Sequence, residues 1–142
     1  MTNKNCDICG IQINGHGNNP APFTGDVVCD KCNENIVVPL RVYEIVKEPS
    51  SALLFKVNGA VAVLKPKDKY FTIKELQTAV GGLIEVYPRK LNGHMIVCNE
   101  EGLLMDLPIN ELFEKYSGIT LVGDILLCPL IIFEEPWSDE DE

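Results

Sequence analysis

A chain of 142 residues with 46% apolar and 23% charged side chains is composed like an ordinary folded protein, so its body is expected to bury a core. The formal charge of −9 is concentrated: Glu134, Glu135, Asp139, Glu140, Asp141 and Glu142 are six of the twenty-one acids, and without them fifteen acids face twelve bases, a balance of −3. A mildly acidic body without a stripe of Lys or Arg excludes duplex nucleic acid as the expected main partner. The most apolar segment, 119–133, is broken by Asp124 and Pro129 and falls short of the roughly 20 residues of a membrane helix.

The first seven residues contain no apolar run of the kind a secretory signal needs, so a cytoplasmic chain with reduced thiols is expected. Six cysteines then divide by spacing. Cys6-x2-Cys9 and Cys29-x2-Cys32 are two pairs nineteen residues apart, whereas Cys98 and Cys128 stand alone. Two cysteines three positions apart let one tight turn aim both sulfurs at one ion, and a second such turn completes the tetrahedron that Zn²⁺ accepts. The expected cofactor is therefore one structural Zn²⁺ on Cys6, Cys9, Cys29 and Cys32. Four thiolates leave no open coordination position, so the ion is expected to scaffold a segment too small to fold alone. His16 lies between the pairs and is read as a loop residue, with ligation as the alternative.

Gly10 follows the first pair, where a knuckle commonly needs positive φ, and the second pair is expected to open a helix from Asp30 to Val38. That arrangement resembles a treble clef or zinc ribbon. Between the pairs, Asn14-Gly15-His16-Gly17-Asn18-Asn19-Pro20 reads as an irregular loop. Val42, Ile45 and Val46 can continue the helix after Pro39, with the proline at a first-turn position, or run as a strand; a helix that links the halves is favoured, and Glu48-Pro49-Ser50-Ser51 reads as a boundary. The expected organisation is a zinc module with linking helix over 1–47, an α+β domain over 50–133, and an acidic disordered tail over 134–142.

In the second half, 53–57 and 60–64 alternate around Asn58-Gly59, the preferred pair for a two-residue hairpin. Thr72-x-x-Glu75 is a capping box ahead of Ile73, Leu76 and Val80, and Gly81-Gly82 ends that helix at about 73–80. Strands are expected at 83–87 and 94–98 with a turn over 88–93 between them. Pro108 is read as opening a helix through Leu112 and Tyr116, with Gly118 beyond its end, and 119–133 as one or two strands. The order β-β-α-β-β-α-β predicts an α+β fold: a small antiparallel sheet with two helices on one face, Cys98 and Cys128 buried as inert thiols, and Pro129 at a bulge or sheet edge.

Leu76, Val80-Gly81-Gly82, Ile84-Glu85, Val97-Cys98-Asn99-Glu100-Glu101-Gly102, Leu107-Pro108-x-Asn110 and Gly123-Asp124 form an ordered set over residues 60–130. In that set the chain resembles a family of uncharacterised domains common in phages, plasmids and other mobile elements of bacteria. The N-terminal half, with Gly17-Asn18-Asn19-Pro20 between the pairs and Cys32-Asn33 before a Val-rich helix, looks like small zinc-knuckle proteins of phages. The resemblance implies an accessory role in the cytoplasm of a bacterial host and brings no catalytic residue.

Two histidines, four serines and isolated core cysteines offer no arrangement for nucleophilic or acid–base catalysis, so no enzymatic activity is expected; His94 is read as an exposed strand-end residue. The preferred reading is an accessory protein that binds a host protein, including inhibition of a defence or nucleic-acid enzyme. Glu85, Asn99, Asn110 and Asp124 are a candidate binding patch, and Trp137 an aromatic anchor within acids. The alternatives are a small-ligand or nucleotide-sequestering protein and a single-stranded nucleic-acid binder. The apolar run 125–133 also offers a homo-oligomer interface.

Overall fold

The structure is a computed structural model that describes residues 4–46, 51–68, 70–91 and 93–129. The chain falls into two compact units, Met1–Lys47 and Glu48–Glu142. Residues of the Glu48-Pro49-Ser50 boundary, the apolar positions 130–133 and the acidic stretch 134–142 lie outside the described residues.

In the first unit, β1 (Lys4–Asn5) and β2 (Gln12–Ile13) pair antiparallel, and the first cysteine pair sits in the turn that joins them. Three helical segments follow head to tail: α1 (Asp30–Cys32), a π turn (Asn33–Val37) and α2 (Val38–Val46). The helix therefore continues past Pro39, as the Val42, Ile45 and Val46 pattern allows, and does not turn into a strand there. Proline has no N–H and its ring collides with the carbonyl one turn back; the wider π turn just before it relieves that clash without ending the helix. Ile36, Val37 and Leu40 are buried with Phe23, Val27 and Val28.

The second unit is α+β, built on a five-stranded antiparallel sheet in the order β4-β3-β7-β6-β5. Its strands are β3 (Ala52–Phe55), β4 (Val61–Leu64), β5 (Ile84–Leu91), β6 (His94–Asn99) and β7 (Ile125–Pro129). The helices are α3 (Ile73–Val80) and α4 (Glu111–Ser117). The capping box forms in full: Thr72 Oγ1 accepts from Glu75 N–H at 3.1 Å, Glu75 Oε1 accepts from Thr72 N–H at 2.8 Å, and Gly81 closes α3 in the left-handed region.

Alternation along β3 divides the core. Leu54 packs with Leu76, Val80, Val97 and Leu126 under α3. Phe55, pointing the other way, sets its ring edge-on to Phe113 at 5.3 Å and against Tyr116 at 5.1 Å. The helices thus cover opposite faces rather than one, because β3 and β7 are apolar on both sides and each face needs its own cover.

Four local expectations are corrected. The first hairpin uses the three-residue loop Val57-Asn58-Gly59, in which Gly59 N–H returns to Lys56 C=O at 2.9 Å and φ at Gly59 is +90°; the Asn58 carboxamide accepts from Ala60 N–H, which draws the extra residue into the turn. Strand β5 runs on through Pro88 to Leu91, with a register irregularity between Val86 and Lys90; an edge strand tolerates proline at a bulge because no ladder bond is lost there. Pro129 lies on β7, a central strand, where it pairs with His94 of β6 in regular register, so it sits at neither a sheet edge nor a bulge. His94 is half-buried at the start of β6 rather than exposed.

Candidate functional site

Local backbone rules bring the four thiols together. Cys6 is buried before the β1–β2 turn, where N–H groups of Ile8 and Cys9 both point at its sulfur at 3.4 Å. Cys29 is the N-cap of α1, its sulfur accepting from Cys32 N–H at 3.5 Å, so the first helical turn presents both members of the second pair. All four Sγ atoms lie within 4.8 Å of one another, and Cys9 Sγ is 3.8 Å from Cys29 Sγ. A tetrahedron with Zn–S bonds of about 2.3 Å has edges of about 3.8 Å, so the donor set fits a zinc ion in both chemistry and size. His16 is exposed and lies outside this group of ligand atoms.

The cluster also has the electrostatics of a cation site. Burial opposes ionisation of Cys6, yet the N–H groups of Cys9, Cys29 and Ile8 bring its thiol down to about 6. Burial and then the neighbouring sulfurs push Cys32 up. Without an ion, the sulfurs cannot all ionise at such short range; a divalent cation removes that conflict and stabilises four thiolates.

Asp7 and Arg41 position the knuckles, and neither stands out in the sequence. The Asp7 carboxylate accepts from Asp26 N–H at 2.7 Å and Val27 N–H at 2.9 Å, which ties the first turn to the strand-like approach to the second pair. Arg41 donates to the carbonyls of Ala21 and Asn19, both at 2.8 Å, and so fastens the loop between the pairs onto the helix. Gly17 is needed there, since a Cβ would come within 2.0 Å of the Val27 side chain.

In the second unit, three of the candidate patch residues, Asn99, Asn110 and Asp124, have side-chain bonds that serve the fold. Asn110 is fully buried: its amide donates to the carbonyls of Phe55 and Gly123, each at 2.8 Å, while its oxygen caps α4 through Phe113 N–H at 2.9 Å. The helix consequently begins at Glu111, not at Pro108, whose carbonyl instead accepts from Gly123 N–H at 2.8 Å. Asn99 is also buried, donating to Val80 C=O at 3.3 Å and accepting from Glu101 N–H at 2.8 Å. Asp124 accepts from Val57 N–H at 2.9 Å, and Glu85 is exposed on the edge strand opposite Cys98. Trp137 lies outside the described residues.

Glycines complete this network at one end of the sheet. A Cβ on Gly82 would sit 2.8 Å from the Asn99 amide, one on Gly102 2.7 Å from Val122, and one on Gly123 2.9 Å from Leu107. The segment between Asn99 and Leu107 is held at both ends, with Gly102 N–H on Asn99 C=O at 3.2 Å and Leu107 N–H on Gly102 C=O at 3.0 Å. Between those ties, Leu103 is 80% exposed and Leu104 85% exposed. Sequence reasoning saw only a turn here; that it turns two leucines outward depends on buried bonds to distant elements.

Residues 52–134 match a family described as a domain of unknown function, DUF3846. The chain belongs to that family. The DUF3846 region begins with the first residue of β3 and takes in every element of the five-stranded sheet, together with α3 and α4, whereas the four-cysteine cluster lies outside it. No curated protein and no solved structure matches the chain. None of the helices described is long and apolar enough to cross a membrane.

The two cysteines of the DUF3846 region are buried in its sheet. Burial pushes Cys98 up to about 11, with the Glu85 charge adding to it, and burial alone pushes Cys128 up to about 12. Both remain protonated at neutral pH and behave as small apolar side chains.

Proposed function

We propose that this DUF3846 protein is a non-enzymatic accessory factor of a phage or mobile element that binds and inhibits a protein of the bacterial host. A treble-clef-like module built on one structural Zn²⁺ would form its N-terminal unit. The observation that carries the reading is the fixed turn between Asn99 and Leu107. Monomeric proteins seldom hold adjacent leucines 80% and 85% out of contact on a braced backbone unless another protein covers them. Glu100, Glu101 and Asp106 flank the pair, so the partner surface would be apolar with a basic rim, as surfaces of nucleic-acid enzymes commonly are.

Further support comes from how the reactive side chains are used. The four clustered thiols lie within 4.8 Å of one another and would fill the shell of one Zn²⁺, Cys98 and Cys128 are buried and protonated, and the amides of Asn99 and Asn110 bond to backbone. The test is capture from bacterial lysate by the full chain and by Leu103→Ser/Leu104→Ser. The expected result is one protein retained stoichiometrically by the first and lost by the second, with zinc content and circular dichroism unchanged. Equal retention by both chains, or none by either, would overturn the reading.

A further inference from the structure

The two outer strands of the sheet are finished differently. Strand β5 closes one side with Pro88, a register irregularity between Val86 and Lys90, and the charges of Glu85, Arg89 and Lys90, all of which hinder the addition of another strand. Strand β4, on the other side, reads Val61-Ala62-Val63-Leu64 and pairs with β3 in unbroken register, with no proline, no charge and no bulge. Its only restraint is its length. Every residue of β4 is at least partly exposed, and Val63 is 45% exposed.

The first hairpin fixes which backbone groups of β4 face outward. Lys56 N–H donates to Ala60 C=O at 2.9 Å, and hydrogen-bonded pairs recur at every second position of an antiparallel ladder, so Ala62 with Leu54 and Leu64 with Ala52 are the pairs that bond across to β3. Val61 and Val63 are turned the other way, and the N–H and C=O groups of both point out of the sheet; among the described residues none takes them up. Side chains alternate as well. Ala62 and Leu64 pack on the face under α3, so Val61 and Val63 lie on the opposite face, where Val63 ends an apolar row with Leu53, Leu127 and Ile96.

We propose that β4 pairs antiparallel with β4 of a second copy of this chain, joining the two five-stranded sheets across a twofold axis. The outward groups set the register. Val61 exchanges two hydrogen bonds with the partner's Val63, Val63 does the same with the partner's Val61, and Ala62 faces the partner's Ala62 between them. That central pair is not hydrogen-bonded, so the strands approach to about 4.5 Å between Cα atoms, where a small side chain fits. The partner's Val61 covers Val63 and extends the apolar row into the second sheet. Charge also favours this edge: the chain carries −9, yet no acid stands between Glu48 and Asp68, and the positions set opposite one another, 60–64, are all uncharged. A copy of β4 supplies the same spacing of outward groups, the same small central residue and the same lack of charge, which is what this edge requires of its occupant.

The contact is small beside a standard interface of about 1,600 Å², so a reversible dimer is expected, populated on the order of 100 µM. Sedimentation of the full chain loaded with zinc should show it dissociating over a hundredfold dilution. Amide exchange reads the register: the N–H groups of Val61 and Val63 should be slow in the dimer and fast in the dilute monomer, while those of Ala62 and Leu64, bonded to β3, stay slow in both. Val63→Pro removes an N–H that β3 does not use and should give a monomer with unchanged circular dichroism. Val63→Lys keeps that N–H, sets a charge against the partner's Val61 and should weaken association at least tenfold; it carries the test if the proline variant does not fold. Leu103→Ser/Leu104→Ser should dimerise as the wild type does. A wild type that stays monomeric up to about 1 mM would overturn the proposal, as would a dimer that survives Val63→Lys or equal exchange of Val61 and Val63 in dimer and monomer. A dimer lost only in Leu103→Ser/Leu104→Ser would place the contact on the 99–107 turn and overturn it too. No host protein enters these measurements, so their failure is separate from failure of the binding function proposed above.

Discussion

The two units solve the same problem with different means. Among the described residues, the first buries nine apolar side chains, two of which are the cysteines Cys6 and Cys32, whereas the second buries seventeen. A segment of fewer than fifty residues with so small a core does not offset its chain entropy, and the first unit closes the gap with a four-thiol cluster suited to zinc. The DUF3846 region has a sheet covered on both faces and adds buried amides, Asn99 and Asn110, where its loops cross the end of the sheet. Both units use side chains such as Asp7, Arg41, Asn99 and Asn110 to hold backbone, and the first adds a cluster of four thiols that could hold a metal ion.

Removing a thiol is the sharpest way to break that comparison. Cys29→Ser, or chelation of the wild type, should take zinc from one ion per chain to none. It should abolish amide-exchange protection over residues 4–46, since metal binding supplies on the order of 10 kcal/mol to such modules. Protection over residues 51–129 should persist. Retained zinc, or protection lost in both units together, would show that the first unit does not depend on the ion as argued.

A smaller effect is expected from Asn110→Ala, which removes a helix cap and leaves the carbonyls of Phe55 and Gly123 without their donors. Urea unfolding followed on the second unit should show a loss of about 3 kcal/mol with zinc content unchanged. A loss below about 1 kcal/mol would mean that water replaces the amide and that the residue is not a keystone of the sheet end.

An effect of similar size, confined to alkaline solution, concerns pH. Thiols that ionise near 9.0 in the unfolded chain are held up to about 11 at Cys98 and about 12 at Cys128 in the folded one. Below pH 9 both are neutral in either state and their contribution to stability is fully present. As pH rises from 9 toward 12, the unfolded chain gains thiolates that the folded sheet refuses, and stability falls. At pH 10 the decline assignable to the two thiols should be roughly 3 kcal/mol, read from unfolding curves of wild type and Cys98→Ala/Cys128→Ala compared at that pH and at pH 7. An identical pH dependence in the two proteins would show that the sheet does not exclude the thiolates.

Local signals carried far in this chain. The x2 spacing of each cysteine pair forces one turn to present two sulfurs, and the capping box at Thr72 and Glu75 with Gly81 after it bounds α3 residue for residue. Each of these is decided within a few positions of chain. The helix continuing past Pro39 was also legible, whereas the π turn that accommodates the proline was not, because it leaves no simple residue pattern.

Asn110 shows the opposite case. Its residue type and position suit a first helical turn or a binding patch equally well, and only the approach of Phe55, fifty-five positions earlier, makes it a buried bridge. The same holds for Asp7 with Val27 and for Arg41 with Asn19. From the amino-acid sequence alone follow the thiol quartet, the order of strands and helices, and the acidic stretch that ends in −6 of charge, because spacing, capping and composition act along the chain. The central place of β7, the helices on opposite faces, the outward leucines of the 99–107 turn and the open edge of β4 were decided only in three dimensions. Each depends on which distant segments share a row of the sheet, and that is set by packing both apolar faces of β3 and β7 at once.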